Sequence, residues 1–245
     1  MTDLLSRRPG LLVLIDPGRT DPGTAATLAA QAREAGVAGV LIGGSFDGTR
    51  ETHHVAAAVR ANAPDLPVVL FPGSAMQLTD QVDLILFLTL VSGRNPQYLI
   101  EEHVRAVPFL QRHPVATLST AYILIDGGRV TSVEAVSQTR PLPADKPELA
   151  AAHVRAARLI GMSAIYLDAG SGADHPVPAP VIAACRACLD DPAAPLFVGG
   201  GIRRPEEAAA ARAAGADFVV VGNALERDTG HSLKSFVVAA RDGRL

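Results

Sequence analysis

The chain has 245 residues, 48% of them apolar but only 4% aromatic and none of them tryptophan, which suits one domain with an aliphatic core. A formal net charge of −3 with no basic run speaks against a nucleic-acid partner. The apolar stretches are too short to span a bilayer, and Leu11–Ile15 is too short for a signal-peptide core and runs into Asp16, so a cytoplasmic protein is expected.

In chain order, apolar runs rich in β-branched residues recur at Leu11–Asp16, Gly39–Gly43, Val68–Phe71, Leu84–Leu88, Tyr122–Asp126, Ala164–Asp168, Leu196–Gly199 and Phe218–Val221. Their near-continuous hydrophobicity suits parallel strands buried on both faces. Ala-rich amphipathic stretches lie between most of them, among them Thr24–Ala35, Arg50–Ala61, Pro147–Ile160 and Pro205–Ala214. The last opens on Arg204-Pro-Glu-Glu207, with proline in the first turn and acids behind it. This alternation predicts a TIM (β/α)8 barrel, an α/β fold, over residues 1–245 as a single domain.

Two places break the pattern. Pro72–Val82 is too short for a full helical crossover, which takes about a dozen residues or more, so the third helix is missing or irregular. Gly127–Lys146 is long and polar and reads as a loop or short hairpin that could act as a lid.

Three glycine motifs close the last strands: Tyr166-Leu-Asp-Ala-Gly-Ser-Gly-Ala173, Val198-Gly-Gly-Gly-Ile-Arg203 and Val220-Val-Gly-Asn223. Glycines bring backbone N–H groups close to an anion, and each motif hands over to a helix-like segment whose N-terminus would add a positive dipole end. Ser171, Gly172, Gly200, Gly201, Gly222 and Asn223 are therefore expected to form one phosphate cup. Asp16 ends the first strand at the rim; it either binds a metal or caps the Pro17–Thr20 turn. Asp168 ends the sixth strand, where a carboxylate could take a proton from an attacking hydroxyl or merely hydrogen-bond the substrate. Tyr166 points the same way as Asp168 because strand side chains alternate. Arg94, after the fourth strand, either meets a diphosphate or holds its own loop. Cys185 and Cys188 sit three apart and read as a helix pair packed on the barrel, and His53 and His54 as a solvated surface.

Taken in order, Leu14-Ile-Asp-Pro17, Ile42-Gly-Gly-Ser45, Phe71-Pro-Gly-Ser74, Ser92-Gly-Arg-Asn-Pro96, Tyr122-Ile-Leu-Ile-Asp-Gly-Gly128, the two motifs ending at Ala173 and Arg203, and Val221-Gly-Asn-Ala-Leu-Glu226 resemble the geranylgeranylglyceryl phosphate synthase family, which includes the bacterial PcrB-type enzymes. The Ser92–Pro96 and Tyr122–Gly128 segments are similar to the family's larger, second group. The resemblance implies Mg²⁺-dependent transfer of a polyprenyl group, such as geranylgeranyl, from its diphosphate to the C3 hydroxyl of sn-glycerol 1-phosphate. It implies metal contacts at Asp16 and Ser45, glycerol phosphate contact at Tyr166, and Tyr122 near the prenyl chain. It also implies a barrel without a normal third helix, a homo-oligomer (dimer or hexamer), and membrane contact only through the lipid substrate. Where the family reads Tyr-Leu-Glu, this chain has Tyr-Leu-Asp, which makes Asp168 one methylene short for a general base. Two other readings stand beside this one: an isomerase or cyclase using an Asp16–Asp126 pair, and a non-catalytic phosphoglycerol-binding barrel.

Overall fold

The computed structural model describes residues 3–46, 50–189, 191–222 and 232–244. Eight parallel strands close into a barrel in chain order: β1 (Gly10–Ile15), β2 (Gly39–Ile42), β3 (Val68–Leu70), β4 (Leu84–Leu90), β5 (Ala116–Leu124), β6 (Ala164–Asp168), β7 (Leu196–Gly199) and β8 (Phe218–Val221). β8 pairs back on β1, with Gly10 opposite Phe218 and Val13 opposite Val221. Helices α1 (Pro22–Ala35), α2 (Thr52–Asn62), α3 (Glu102–Arg112), α5 (Pro147–Leu159), α6 (Ala179–Ala187), α7 (Pro205–Ala213) and α8 (Leu233–Asp242) wrap the outside, and a short α4 (Ser132–Ser137) lies beyond β5. Between β3 and β4 there is only a 3₁₀ turn, Ala75–Gln77, as the short connection predicts.

Alternation along each strand divides the core in two. Outward residues such as Val13, Ile42, Ile85 and Val198 pack under the helices. Inward residues include Leu12, Leu41, Leu86, Tyr122, Tyr166, Phe197 and Phe218. Few aromatics are present, yet they concentrate here: ring centroids lie 4.7 Å apart for Phe71–Tyr166, 5.9 Å for Tyr166–Phe197 and 5.0 Å for Phe197–Phe218. The column fills the barrel, and each fully buried ring removes a large apolar area from water.

Two segments differ from expectation. β5 begins at Ala116 and not at Tyr122, because its first residues are polar and partly exposed and carry no apolar signature, while β4 offers Leu84–Leu90 for pairing along the whole length. Gly127–Lys146 is neither a plain loop nor a hairpin. It contains α4, turns at Gln138 with φ 55°, and bridges Leu142 parallel to Ile125. The Asp126 N–H donates to Leu142 O at 2.9 Å, and Asn95 Nδ2 donates to Ser137 O at 3.0 Å, so the segment is pinned across the barrel mouth. The Arg204–Glu207 helix start forms as read, with Glu207 accepting from the Arg203 and Arg204 N–H groups. Cys185 is buried on α6 and burial pushes its thiol up to about 12, which fits a packed pair. His53 and His54 are exposed as read, and His53 Nδ1 lies 3.0 Å from Thr79 Oγ1 and 3.9 Å from Asp80. Among the described residues, no helix is long and apolar enough to cross a membrane.

Candidate active site

Two cavities open on the face where the strands end. A polar cavity of about 290 Å³ lies over the centre of the barrel, and an apolar groove of about 100 Å³ runs off beside β3 and β4. Their position follows from the topology, since parallel strands place all their C-terminal ends, and the loops that follow, on one side.

The polar cavity is lined by Asp16, Ser45, Tyr166, Asp168, Ser171, Gly172, Gly200, Gly201 and Gly222. The glycine loops therefore converge as read, and Asn223 lies outside the described residues. The helix contribution does not follow: α6 and α7 start at Ala179 and Pro205, well past the glycines. At these two motifs the cup is made of loop residues, because the chain turns at the strand ends before a helix begins. Gly200 shows why the residue type matters. Its φ is +79°, and a Cβ there would run into Asp168 Oδ1 and the Ala169 and Gly170 nitrogens.

Asp168 is 7% exposed. Its Oδ2 accepts from the Tyr122 hydroxyl at 2.5 Å and its Oδ1 from the Gly170 N–H at 2.8 Å. Burial pushes its carboxyl above the ordinary range, and the two hydrogen bonds offset part of that rise. Tyr122 and Tyr166 are held well above the usual phenol range, first by burial and then by the Asp168 charge, so both remain protonated. Asp168 is thus a buried carboxylate of raised basicity facing a cavity, a suitable proton acceptor.

Asp16 caps the turn, and its carboxylate also faces the cavity. Its Oδ1 accepts from the Gly18 N–H at 2.9 Å, which caps the turn, while Oδ2 lies 3.7 Å from Arg19 Nε and the carboxylate lines the cavity. The carboxylate rests on Gly44, where a Cβ would approach Oδ1 to 2.5 Å, so the glycine beside Ser45 is what lets Asp16 reach inward. Among the described residues no three His, Cys, Asp or Glu side chains gather to hold a metal. A cation here would take Asp16 and Ser45 as hard oxygen donors and complete its shell from substrate phosphate and water, as Mg²⁺ commonly does.

The groove is lined by Phe71, Leu86, Leu88, Tyr98 and Tyr122, and it also touches Ile85 and Phe87 on the outward side of β4. It reaches the barrel's outer face because no third helix covers it. Residues that sequence reasoning missed hold this side together. Gln77 is buried; its Oε1 accepts from the Gly73 N–H at 2.7 Å and its Nε2 donates to Gly44 O at 3.1 Å. Glu102 accepts from the Ala75 N–H at 2.7 Å and joins the turn to α3. Arg203, which lines the polar cavity and donates to Ala173 O at 2.6 Å, was visible only as the end of its motif. Arg94 shows the loop-holding alternative: it is exposed, lines neither cavity, and donates Nη1 to Gly93 O at 2.6 Å and Val91 O at 3.3 Å. Asp126 is also exposed, accepts from the Gly128 N–H at 2.9 Å, and forms no cavity pair with Asp16.

Residues 2–240 match the model of the PcrB family. A geranylgeranylglyceryl phosphate synthase from Chitinophaga pinensis is 41% identical over 89% of this chain and 84% of its own length. One from Aeropyrum pernix is 40% identical over 89% of this chain and 86% of its own. The crystal structure of (S)-3-O-geranylgeranylglyceryl phosphate synthase from Thermoplasma acidophilum, in complex with sn-glycerol-1-phosphate, superposes with a TM-score of 0.90 at 31% identity, covering 99% of each chain.

Proposed function

The chain belongs to the PcrB family, and from that membership we propose that it is a prenyltransferase joining a polyprenyl group, such as geranylgeranyl, to the C3 hydroxyl of sn-glycerol 1-phosphate. The observation that carries the reading is the Tyr122–Asp168 hydrogen bond of 2.5 Å. Tyr122 lines the apolar groove and Asp168 the polar cavity, so this bond joins a site for a hydrocarbon chain to a site for a phosphorylated alcohol.

The phosphate of the acceptor binds the N–H groups around Ser171–Gly172, Gly200–Gly201 and Gly222, and its glycerol end reaches Tyr166 and Asp168. The donor lays its chain in the groove and its diphosphate toward Ser45 and Asp16. The C1–O bond breaks with its electron pair leaving on the diphosphate, the C3 oxygen forms the new C–O bond, and Asp168 accepts the proton. Holding both partners side by side supplies much of the rate. Mg²⁺ is the cofactor of this reading; Asp16 and Ser45 would hold it, and it supplies neutralisation of charge on the leaving diphosphate. The reaction belongs in the cytoplasm, in a dimer or hexamer. Membrane contact comes through the lipid substrate, and the exposed Phe46, Met76 and Val130 on the loops beside the two openings support that contact.

Incubating the protein with labelled prenyl diphosphates, glycerol 1-phosphate and Mg²⁺ tests the reading: the expected product is a prenylglyceryl phosphate. Tight glycerol phosphate binding without product, cured by Asp168→Glu, would instead identify a barrel that has kept its cup and lost its chemistry. Asp16→Asn is expected to lower activity by on the order of 10²-fold, since charge neutralisation is worth several kcal/mol. The melting temperature should stay unchanged, because Asp16 is at the rim. Wild-type rate and Mg²⁺ dependence in that variant would remove Asp16 from the ligand set.

A further inference from the structure

Among the described residues, the two cavities share only Gly44, Ser45 and Phe71 as lining, so Phe71 is the one large side chain common to both. It carries no charge and no hydroxyl, and it takes no part in holding phosphate or moving a proton. Its place is nevertheless closely fixed. The Phe71 N–H donates to Ile42 O at 2.8 Å. The ring stacks on Tyr166 at 4.7 Å and 22°, and tilts against Tyr122 at 5.9 Å and 46°. Tyr166 is in turn backed by Phe197 and Phe218. One face of the ring is therefore occupied and the ring cannot retreat; what it offers the cavities is the remaining face.

We propose that Phe71 is a catalytic residue whose π face stabilises the positive charge that develops on the allylic C1 of the prenyl donor. The proposal rests on the prenyltransferase reading. In that reaction the chain lies in the groove, the diphosphate lies toward Ser45 and Asp16, and the attacking hydroxyl lies at Asp168. The reacting carbon must then sit where groove and cavity join, which is where Phe71 stands. As the C1–O bond breaks, its electron pair leaves with the diphosphate and C1 becomes cationic. The charge is discharged when the C3 oxygen bonds to C1 and its proton passes to Asp168. A cation over an aromatic face in a site cleared of water is attracted to the ring quadrupole, whereas the neutral C1 of the bound donor is not. The interaction is therefore made in the transition state and not in the ground state, and it acts on the rate and not on binding. Tyr122 and Tyr166 are less suited to the task, because the Tyr122 hydroxyl is committed to Asp168 and Tyr166 is stacked by both Phe71 and Phe197.

The experiment replaces Phe71 in the full chain with mono-, di- and trifluorophenylalanine, which drain the ring's negative face while nearly keeping its shape. Prenyl transfer is followed in single turnovers, so that product release does not mask chemistry, and the dissociation constants of donor and acceptor are measured separately. The expected result is a stepwise fall in rate with each fluorine, reaching about tenfold, with both dissociation constants and the melting temperature unmoved. Phe71→Leu should lose at least as much as the trifluorinated ring. A flat rate series in an active enzyme overturns the proposal and leaves the prenyltransferase reading intact, as does a series in which donor binding weakens in step with rate. A wild type that transfers no prenyl group to glycerol phosphate overturns both.

Discussion

The polar cavity and the apolar groove meet at three residues, yet they are made of different material. The cavity is built around backbone: glycines at the ends of β6, β7 and β8 line it, among larger side chains such as Phe71, Tyr166, Asp168 and the arginines at the rim. The groove is a side-chain structure in a space left open where no helix lies between β3 and β4, and it is lined by the half-buried Phe87 among others. A backbone cup has one geometry and resists substitution, since a new Cβ at Gly200 or Gly201 would clash and Gly172 holds a positive φ. A groove between side chains keeps its character under apolar exchange but depends on whatever props its open side, here Gln77 and Glu102.

The sharpest way to break that comparison is at the hydrogen bond that joins the two regions. Asp168→Asn is expected to lower kcat by about 10²- to 10⁴-fold, the range for general acid–base catalysis, with glycerol phosphate affinity much less affected. The same variant should be no less stable than wild type. Asp168 has a folded-state pKa above its unfolded value, so its ionisation costs stability in full above the raised value, and that cost shrinks as pH falls through the raised value and is gone below the ordinary carboxylate pKa. An amide removes the cost altogether. Thermal melts and steady-state kinetics check both halves, and a fully active Asn variant would end the base assignment.

Next in size, Gly200→Ala should raise the KM for glycerol phosphate by about tenfold or more and cost roughly 1–2 kcal/mol of stability, because an alanine at φ +79° is strained and its methyl meets the Asp168 carboxylate. The KM for the prenyl donor should hardly move. Gln77→Leu is the mirror experiment. It strips the hydrogen-bond partners from the Gly73 N–H and Gly44 O, at about 1–3 kcal/mol of stability, and should raise the donor KM several-fold while sparing the acceptor. If both variants shift both KM values equally, the division into two independently built regions is wrong.

The smallest effect is in pH dependence. Activity should fall as pH drops through the raised pKa of Asp168, since the base must be ionised. The Tyr122 hydrogen bond lowers that pKa, so Tyr122→Phe should move the acid limb of the kcat profile upward. An acid limb that moves downward or stays in place would contradict the assigned hydrogen bond.

The same two regions differ in how far the sequence disclosed them. β6, β7 and β8 begin and end where the apolar runs do, and the cup was readable because glycine, strand end and carboxylate lie within a few residues of one another. The missing helix was readable from length alone. What closes the groove was not, because Gln77 and Glu102 act on backbone groups of other loops, and nothing in their own neighbourhood marks them. α4 was hidden for the same reason: Ser132–Ser137 is too short to show a helical period, and tertiary contacts such as the one from Asn95 hold it. Arg94 stayed open between two roles because an arginine after a strand suggests an anion, and only the fold shows its bonds to the Gly93 and Val91 carbonyls.

The aromatic column carries a practical consequence. The chain has no tryptophan and three tyrosines. Tyr98 and Tyr122 line the groove and Tyr166 lines the polar cavity, so every phenol in the protein looks into one of the two openings. Excitation near the tyrosine band therefore reads the site and nothing else, with no indole emission over it. Tyr122, bonded to a carboxylate, is placed to hand its proton over in the excited state and so to emit differently from its two companions. Ligand arrival in either opening becomes a change in the protein's own light, measurable without a label.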